Sequence, residues 1–253
     1  SDVYKRQHQL NMSKEILINE EYGTLLNNVK TGDYVEIPTP NEVSNYLPSY
    51  RYAQIYYEDD DLAIVMKPKG VKTHPNDLKE SNTLMNHVIY TVDSEYVEPI
   101  HRLDQETVGL LIVAKNPLMK KILDRMLEYN EITRIYKANV KALLPIKPQT
   151  IDMPIGKDKF HSNKRRISNT GQRAITHIIN SKMIKEGVCQ LDIKLDTGRT
   201  HQIRVHLAEI GHPVIGDPLY GTSTLRQLEL NSHQIEFTHP LTQEIISVSL
   251  DDK

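Results

Sequence analysis

The sequence predicts an α+β fold, and three observations support this class. Segments with the alternation or the β-branched composition of strands outnumber those with helical periodicity. The connections between them are mostly too short for the helical crossovers that a serial parallel sheet requires. A chain of 253 residues, with 38% apolar and 25% charged residues, is also large enough to bury a sizeable core.

The amino-terminal part of the chain differs from the rest in its patterns. Residues 1–15 lack periodicity and are interpreted as either a disordered native terminus or a non-native extension. Residues 16–37 predict short strands around turns, the clearest of them at residues 31–33. Residues 38–51 contain three prolines and are interpreted as a linker, so the main domain is expected to span residues 52–253.

The main domain alternates between strand and helix patterns. Short runs rich in branched apolar residues predict strands at residues 62–66, 109–114, 135–142, 174–179, 188–195 and 245–250. Apolar residues at helical spacing predict helices at residues 82–91, 117–128 and 200–210. Pro117 suits the first position of the second helix. Thr200 is expected to cap the last helix, and Gly211 to end it.

The charge is unevenly distributed, although the formal net charge is only −2. Residues 1–60 hold ten acidic and five basic residues, which leaves a net charge of +3 for the rest of the chain. The segment 157–173 carries six basic residues and one acidic residue. The net charge therefore does not exclude a nucleic acid as partner, because a local basic segment can bind phosphates.

Several classes of protein are disfavoured by what the sequence lacks. A single cysteine, Cys189, excludes an internal disulfide framework and suits the cytoplasm. No run of 18 apolar residues indicates a membrane span. The hydrolase, phosphate-loop, dinucleotide and zinc-protease signatures are absent, and His201 and His206 are spaced too far apart to share a metal on one helix face. A metal site is therefore not expected.

Two segments concentrate reactive side chains. In residues 101–109, Asp104 precedes a predicted buried strand and is either a nucleophile or base, or the cap of a turn. In residues 196–206, Arg199 follows a glycine turn and either pairs with a carboxylate or phosphate, or lies on a solvated helix face. His201, Arg204 and His206 are expected on the polar face of that helix, and Ile203 and Leu207 on its buried face.

These two segments together resemble one known family. One string, HRLDQETVGLLIVAKN, begins at residue 101, and the other, DTGRTHQIRVHLAEIGHPVIGDPLYG, begins 95 residues later at residue 196. Together they resemble the RluA/RluD family of RNA pseudouridine synthases. The resemblance extends over roughly residues 52–250. It implies a mixed, mostly antiparallel central sheet with flanking helices and an active-site cleft. It also implies that residues 16–37 are a remnant of an αL-type RNA-binding module.

Further motifs of the family have counterparts at residues 58–70, 134–138, 152–156 and 171–176. Two positions depart from the family pattern. Val108 stands where the family usually has serine, and Gln234 stands where it tends to have alanine.

The resemblance implies a role for each candidate residue. Asp104 corresponds to the essential carboxylate, Arg199 to the cation beside it, and Tyr136 to the tyrosine that stacks on uracil and handles a proton. Arg102 is the candidate for filling the space that a flipped uridine vacates. Leu103 and Ile203 are expected to form the pocket wall. The expected RNA-binding residues are Arg102, Lys164, Arg165, Arg166, His201 and Arg204.

The expected function is the isomerisation of specific uridines in rRNA or tRNA to pseudouridine, by a cytoplasmic enzyme that is a monomer and needs no cofactor. One alternative is a non-catalytic RNA-binding or ribosome-assembly protein with the same fold. A second alternative is a glycoside or nucleoside hydrolase, which requires a second carboxylate. Glu106, two residues from Asp104, is the candidate for it.

Overall fold

The computed structural model describes residues 16–23, 28–38, 42–77, 79–221 and 227–252. The chain divides into two compact units, Ser1–Glu42 and Val43–Lys253. Residues 1–15, interpreted as a disordered or non-native terminus, lie outside the described residues. Within the described ranges, no helix is both long enough and apolar enough to cross a membrane.

The smaller unit contains a three-stranded antiparallel sheet. Its strands are β1 (Leu17–Ile18), β2 (Glu21–Tyr22) and β3 (Val35–Glu36), in the order β2-β1-β3. Short strands were predicted in this segment, and the interpretation of residues 16–37 as a remnant of an RNA-binding module stays a prediction.

The linker predicted at residues 38–51 straddles the boundary between the two units, which falls after Glu42. Its second half packs within the larger unit. Ser44 Oγ donates a hydrogen bond to Val97 O at 2.7 Å, and Tyr46 Oη donates one to Glu98 at 2.9 Å. Tertiary contacts therefore hold this half of the predicted linker in the larger unit.

The larger unit is built on one central sheet, to which ten strands among the described residues belong. The strands are β4 (Gln54–Glu58), β5 (Leu62–Lys67), β6 (Glu98–Pro99), β7 (Val108–Ala114), β8 (Thr133–Lys141), β9 (Gln149–Asp152), β12 (Ile175–Lys185), β13 (Val188–Leu195), β14 (Leu230–Thr238) and β15 (Ile245–Ser249). Eight of them follow the order β4-β5-β7-β14-β8-β13-β12-β9, with β6 paired to β7 and β15 paired to β14. The pairs are antiparallel except for β7 with β14, which confirms the mixed α+β class.

A separate antiparallel hairpin consists of β10 (Ile155–Lys157) and β11 (Arg165–Ile167), and it contains most of the basic segment. We call residues 158–164 the hairpin loop. A short 3₁₀ helix, Leu250–Asp252, closes the described chain.

Three helices flank the sheet in the described part of the chain: α1 (Leu84–Thr91), α2 (Pro117–Glu128) and α3 (Gln202–Glu209). The prediction for α2 is confirmed, since Asn116 caps it and Pro117 is its first residue. The prediction that Thr200 caps α3 is wrong. His201 is the capping residue, with a left-handed φ of 60° and no capping side-chain bond, because the Gln202 side chain closes the preceding turn instead.

Strand β14 is the largest element that the sequence pattern did not predict. Its sequence, LNSHQIEFT, interleaves polar residues with apolar ones, so it lacks a clear apolar run. The strand nevertheless lies near the centre of the sheet and pairs with β7, β8 and β15. Its polar composition is tolerated because its backbone groups are paired within the sheet on both sides.

Two apolar cores lie on opposite faces of the sheet. Alternate residues of β7 enter different cores, as the period of two in a strand requires: Leu111 packs in one and Ile112 in the other. Helix α2 covers the second face with Met119 and its neighbours. Helices α1 and α3 cover the first face, where Leu103 of the loop before β7 also packs. The first face therefore carries the loop that holds Asp104.

Candidate active site

The candidate active site is built around the loop between β6 and β7, which holds Asp104. Two contacts fix the backbone of this loop. The hydroxyl of Thr73 donates to Leu103 O at 3.0 Å and accepts from Leu103 N at 3.2 Å. Thr107 N donates to Asp104 O at 3.0 Å, which closes a turn around the carboxylate. Asp104 therefore projects from a rigid position, with its side chain 23% exposed.

A buried lysine ties this loop to the end of β5. The ammonium group of Lys67, whose residue is fully buried, donates to the carbonyls of Pro68 at 3.1 Å, Val71 at 2.7 Å and Gln105 at 3.0 Å. Its three protons are thereby all engaged. Burial lowers the Lys67 pKa to about 8, although the charge of Asp104 opposes this effect. Because Lys67 contacts three backbone carbonyls, it holds the loop in place.

Gly109 allows β7, the strand after the loop, to pack closely against the neighbouring strand β14. Its φ is +128°, and a Cβ at this position would lie 2.2 Å from Ser232 O. Ser232 is its partner in the parallel pairing of β7 with β14. Only glycine fits here, so the loop can lead directly into a buried strand.

Arg204 is the cation that contacts Asp104. Its Nη1 donates to Asp104 Oδ2 at 3.1 Å, while Nε and Nη2 each donate to one oxygen of Asp217 at 2.8 Å. Arg204 is only 3% exposed, and Asp217 is fully buried. Asp217 also accepts hydrogen bonds from the backbone N–H groups of Leu219 and Tyr220. The guanidinium group is therefore held bidentately on one side and faces Asp104 on the other.

The charges in this cluster shift one another's pKa. Burial alone raises the Asp217 pKa, but the hydrogen bonds and charge of Arg204 outweigh it, so the pKa lies below its ordinary value. Burial lowers the Arg204 pKa, and the two carboxylates more than reverse this effect. Arg204 and Asp217 are therefore both charged at neutral pH.

Two expectations about the arginines need correction. Arg204 was expected on an exposed polar face that binds RNA, but α3 is covered around most of its surface, and residues 202–207 are all buried. Arg199 was expected beside Asp104, yet it is exposed and its Nε donates to Arg173 O at 3.0 Å. His206, expected on the same polar face, is fully buried between Thr176 and Met153.

His201 and Tyr220 complete the surroundings of Asp104. His201 Nε2 lies 3.9 Å from Asp104 Oδ2, and its Nδ1 forms a hydrogen bond of 2.9 Å with Tyr220 Oη. Burial lowers the His201 pKa and the nearby Arg204 charge adds to this effect, while Asp104 opposes it. The imidazole is therefore mainly neutral at pH 7. Tyr220 also lies under the Arg204 guanidinium, 5.3 Å from ring centroid to Cζ.

The remaining predicted site residues fall into two groups. Tyr136, Leu103 and Ile203 are nearly buried and share the apolar core on the first face of the sheet. Arg102 is exposed beside Asp104 in the chain, as an RNA contact requires. Of the three predicted basic residues, Lys164 ends the hairpin loop, and Arg165 and Arg166 begin β11; all three are half-buried. The structure thus brings Asp104, His201 and Arg204 together and leaves Arg199 outside this group.

The sequence reasoning missed Asp217, Tyr220 and Thr73 as parts of the site. Asp217 and Tyr220 lie in the string GDPLYG, which resembles the family, so a signal for them was present. Thr73 carries no such signal. Its role depends on a contact with Leu103, which is 30 residues away in the chain.

One cluster of possible metal ligands occurs among the described residues, away from the Asp104 loop: Asp59, Asp61 and His239, with ligand atoms within 4.8 Å of one another. His239 Nδ1 accepts hydrogen bonds from the backbone N–H groups of Leu241 and Thr242. A neutral imidazole then carries its proton on Nε2, which faces Asp59 at 3.3 Å. This tautomer cannot offer Nε2 to a metal, so the cluster does not fit a metal site.

The fold and this site match known proteins. The family model for RNA pseudouridylate synthases matches residues 61–209. The protein YhcT of Bacillus subtilis (strain 168), called an uncharacterized RNA pseudouridine synthase, is 40% identical over 243 residues, covering 92% of this chain and 80% of its own. The ribosomal large subunit pseudouridine synthase D of Nitrosomonas europaea is 36% identical over 208 residues, covering 76% of this chain and 60% of its own.

A solved structure agrees with these sequence matches. The human RNA pseudouridylate synthase domain containing 1 superposes with a TM-score of 0.64 at 26% identity, over 81% of this chain and 85% of its own. The matches define the class of the protein, an RNA-modifying isomerase with the pseudouridine synthase fold. Within that class, the chain belongs to the RluA/RluD family of RNA pseudouridine synthases.

Proposed function

We propose that the protein converts specific uridines in structured RNA to pseudouridine, with Asp104 as the reacting carboxylate and without a cofactor. The observation that carries this proposal is the clamp of Asp217 on Arg204, which fixes a buried positive charge 3.1 Å from the Asp104 carboxylate. A guanidinium held this close pairs with the carboxylate and orients it. Arg204 thus takes the role that the resemblance gave to Arg199.

The clamp also selects which oxygen of Asp104 reacts. Arg204 and His201 both approach Oδ2, at 3.1 and 3.9 Å. Among the described residues, Oδ1 accepts no hydrogen bond, so it is the oxygen available to the uridine. We propose that Asp104 uses it in one of three ways: attack on the ribose carbon, addition to the uracil ring, or removal of a ribose proton.

The reaction balances without an added group. The bond between uracil nitrogen and ribose breaks, the uracil turns, and a bond between ribose and a uracil carbon forms. That carbon loses its proton, and the freed uracil nitrogen gains one. We propose that Tyr136 stacks on the uracil and handles this proton, with Leu103 and Ile203 as the pocket wall. Their common place in the apolar core on the first face of the sheet supports this assignment.

The RNA would be held by residues outside this pocket. A uridine in a stem must be flipped out before it can react, and exposed Arg102, two residues before Asp104, is proposed to fill the space it leaves. Lys164, Arg165 and Arg166 are proposed to bind the phosphates. Relatives named ribosomal large subunit pseudouridine synthase D favour rRNA over tRNA as the first RNA to test. The protein is proposed to act as a monomer in the cytoplasm, where its buried free Cys189 stays reduced.

The decisive experiment compares Asp104→Asn with the wild-type protein on RNA from a strain that lacks this protein, with pseudouridine mapped by sequencing. The variant is expected to form no detectable pseudouridine. Its thermal stability and RNA binding should stay near those of the wild type, since Asp217 still neutralises Arg204. Glu106→Gln, a neighbouring change at a partly exposed carboxylate, is the matched control and should retain activity.

The same variants and RNA separate the alternatives when released free uracil is measured as well as pseudouridine. A non-catalytic RNA-binding protein would leave the uridines unchanged with the wild-type protein as well. A hydrolase would release free uracil and would lose activity in Glu106→Gln. Activity retained by Asp104→Asn would overturn the assignment of the carboxylate.

A further inference from the structure

The hairpin loop exposes an aromatic ring among basic residues. Phe160 is 89% exposed, whereas Phe237, the other phenylalanine of the chain, is 3% exposed. Lys157, Lys159 and Lys164 lie within four residues of Phe160. An exposed phenylalanine gives up the stabilisation that burial supplies. Its position in a basic loop therefore indicates a contact with a ligand rather than with the protein's own core.

The loop presents this ring from an ordered turn. Asp158 Oδ1 accepts hydrogen bonds from the backbone N–H groups of Phe160 at 2.8 Å and His161 at 2.9 Å. Lys164 N donates to His161 O at 3.0 Å, and Asp158 N donates to Lys164 O at 3.2 Å. These bonds close the loop at both ends, so little conformational entropy is lost when the ring contacts a ligand.

The hairpin is anchored to the candidate active site. Arg165 N, at the start of β11, donates to Tyr220 Oη at 2.8 Å, and the same hydroxyl bonds His201 beside Asp104. Lys157 pairs with Arg165 across the hairpin. Phe160 is three residues from Lys157, a span of at most about 11 Å. The ring is therefore within reach of the nucleotides that flank a uridine bound at Asp104.

We propose that Phe160 stacks on an unpaired base next to the modified uridine, while the neighbouring lysines contact the phosphates; this rests on the proposed function. Aromatic rings stack on any base, because every base has a flat face, but they cannot reach bases that are stacked inside a duplex. Phe160 thereby makes the enzyme favour uridines in loops or opened stems over uridines in an intact helix.

The test measures binding of two fluorescein-labelled RNAs at low salt, an oligouridylate and a fully paired duplex of the same length, about 12 nucleotides. Phe160→Ala is expected to raise the Kd for the oligouridylate about 5- to 150-fold, the range found for loss of one stacked base. The Kd for the duplex and the dependence of log Kd on salt should not change, because phenylalanine carries no charge. Phe160→Trp should retain wild-type binding of the oligouridylate.

Leu143→Ala is the matched control, since Leu143 is an apolar residue 86% exposed in another loop. It should bind both RNAs as the wild type does. Equal affinity of the wild type for the two RNAs, or an unchanged Kd in Phe160→Ala, would overturn the proposal. An equal loss in Leu143→Ala would do so as well, because it would point to general apolar adhesion. These outcomes are independent of pseudouridine formation, which Asp104→Asn tests separately.

Discussion

Replacement of Asp217 by asparagine tests whether the clamp on Arg204 stabilises the protein. The substitution keeps the shape of the side chain and removes its charge. In the structure, Asp217 is fully buried and binds Nε and Nη2 of Arg204, each at 2.8 Å. Asparagine retains one acceptor oxygen, but its amide N–H groups face the N–H groups of the arginine. The buried guanidinium then keeps only Asp104 as a counter-charge.

The size of the effect follows from this geometry. Removing one partner of a buried ion pair costs about 3–5 kcal/mol, because the other charge is left uncompensated. The remaining oxygen can still accept from the backbone N–H groups of Leu219 and Tyr220, so we expect a value near the lower limit, about 3 kcal/mol. For a domain of this size, that loss lowers the melting temperature by about 6–12 °C.

Urea unfolding at 25 °C measures the free energy of unfolding of each variant. Asp124→Asn is the control, because Asp124 pairs with Lys120 on an exposed helix face with its side chain 44% exposed. The control should lose about 0.5 kcal/mol or less. A loss in Asp217→Asn within about 1 kcal/mol of the control would refute the reasoning that the clamp compensates a buried charge.

The same variant tests whether the clamp positions Arg204 for catalysis. An arginine without its bidentate anchor can turn away from Asp104, so the rate of pseudouridine formation should fall on the order of 100-fold. The substrate KM should change little, since Asp217 is buried and cannot contact RNA. A change confined to KM would indicate instead that Asp217 acts on RNA binding.

Two further predictions concern stability. For Lys67, the folded pKa of about 8 lies below the ordinary value of 10.5, so the unfolded chain binds more protons between these pH values. The free energy of unfolding should therefore rise with pH in this window, by up to about 1.4 kcal/mol per pH unit. Urea titrations at several pH values measure this slope, and Lys67→Met should lack it. Equal slopes in the wild type and the variant would contradict the prediction. Gly109→Ala should cost about 2–5 kcal/mol, from strain at positive φ and collision with Ser232. Gly187→Ala, also at positive φ but with open space around it, should cost about 1–2 kcal/mol in the same assay.

The elements that the sequence predicted well have strong local signals. Helix α2 has a capping asparagine and a proline at its first position, and both lie next to the apolar residues that the helix buries. Strand β7 is a short, continuous apolar run with several β-branched residues, a pattern typical of a buried strand. Strand β14 was missed because its polar residues are stabilised by neighbouring strands that lie far away in the chain.

The arginines of the candidate site were also misplaced by the local sequence pattern. A helical pattern assumes one buried face and one exposed face. Helix α3 breaks this assumption, since Arg204 and His206 are buried with polar partners on what the pattern predicts to be its solvent side. The sequence could not distinguish Arg199 from Arg204 as the partner of Asp104. Arg199 lies in the turn before α3 and Arg204 lies in α3, so the two arginines are close together in the chain.

The sequence by itself determined the α+β class, the family and the loop that carries Asp104, because these depend on local patterns and on long strings of residues. Only the tertiary structure decided that Arg204 contacts Asp104 from 100 residues away and that Asp217 holds it there. The physical reason is that a buried charge needs a counter-charge close in space. Distance along the chain does not specify which groups will meet.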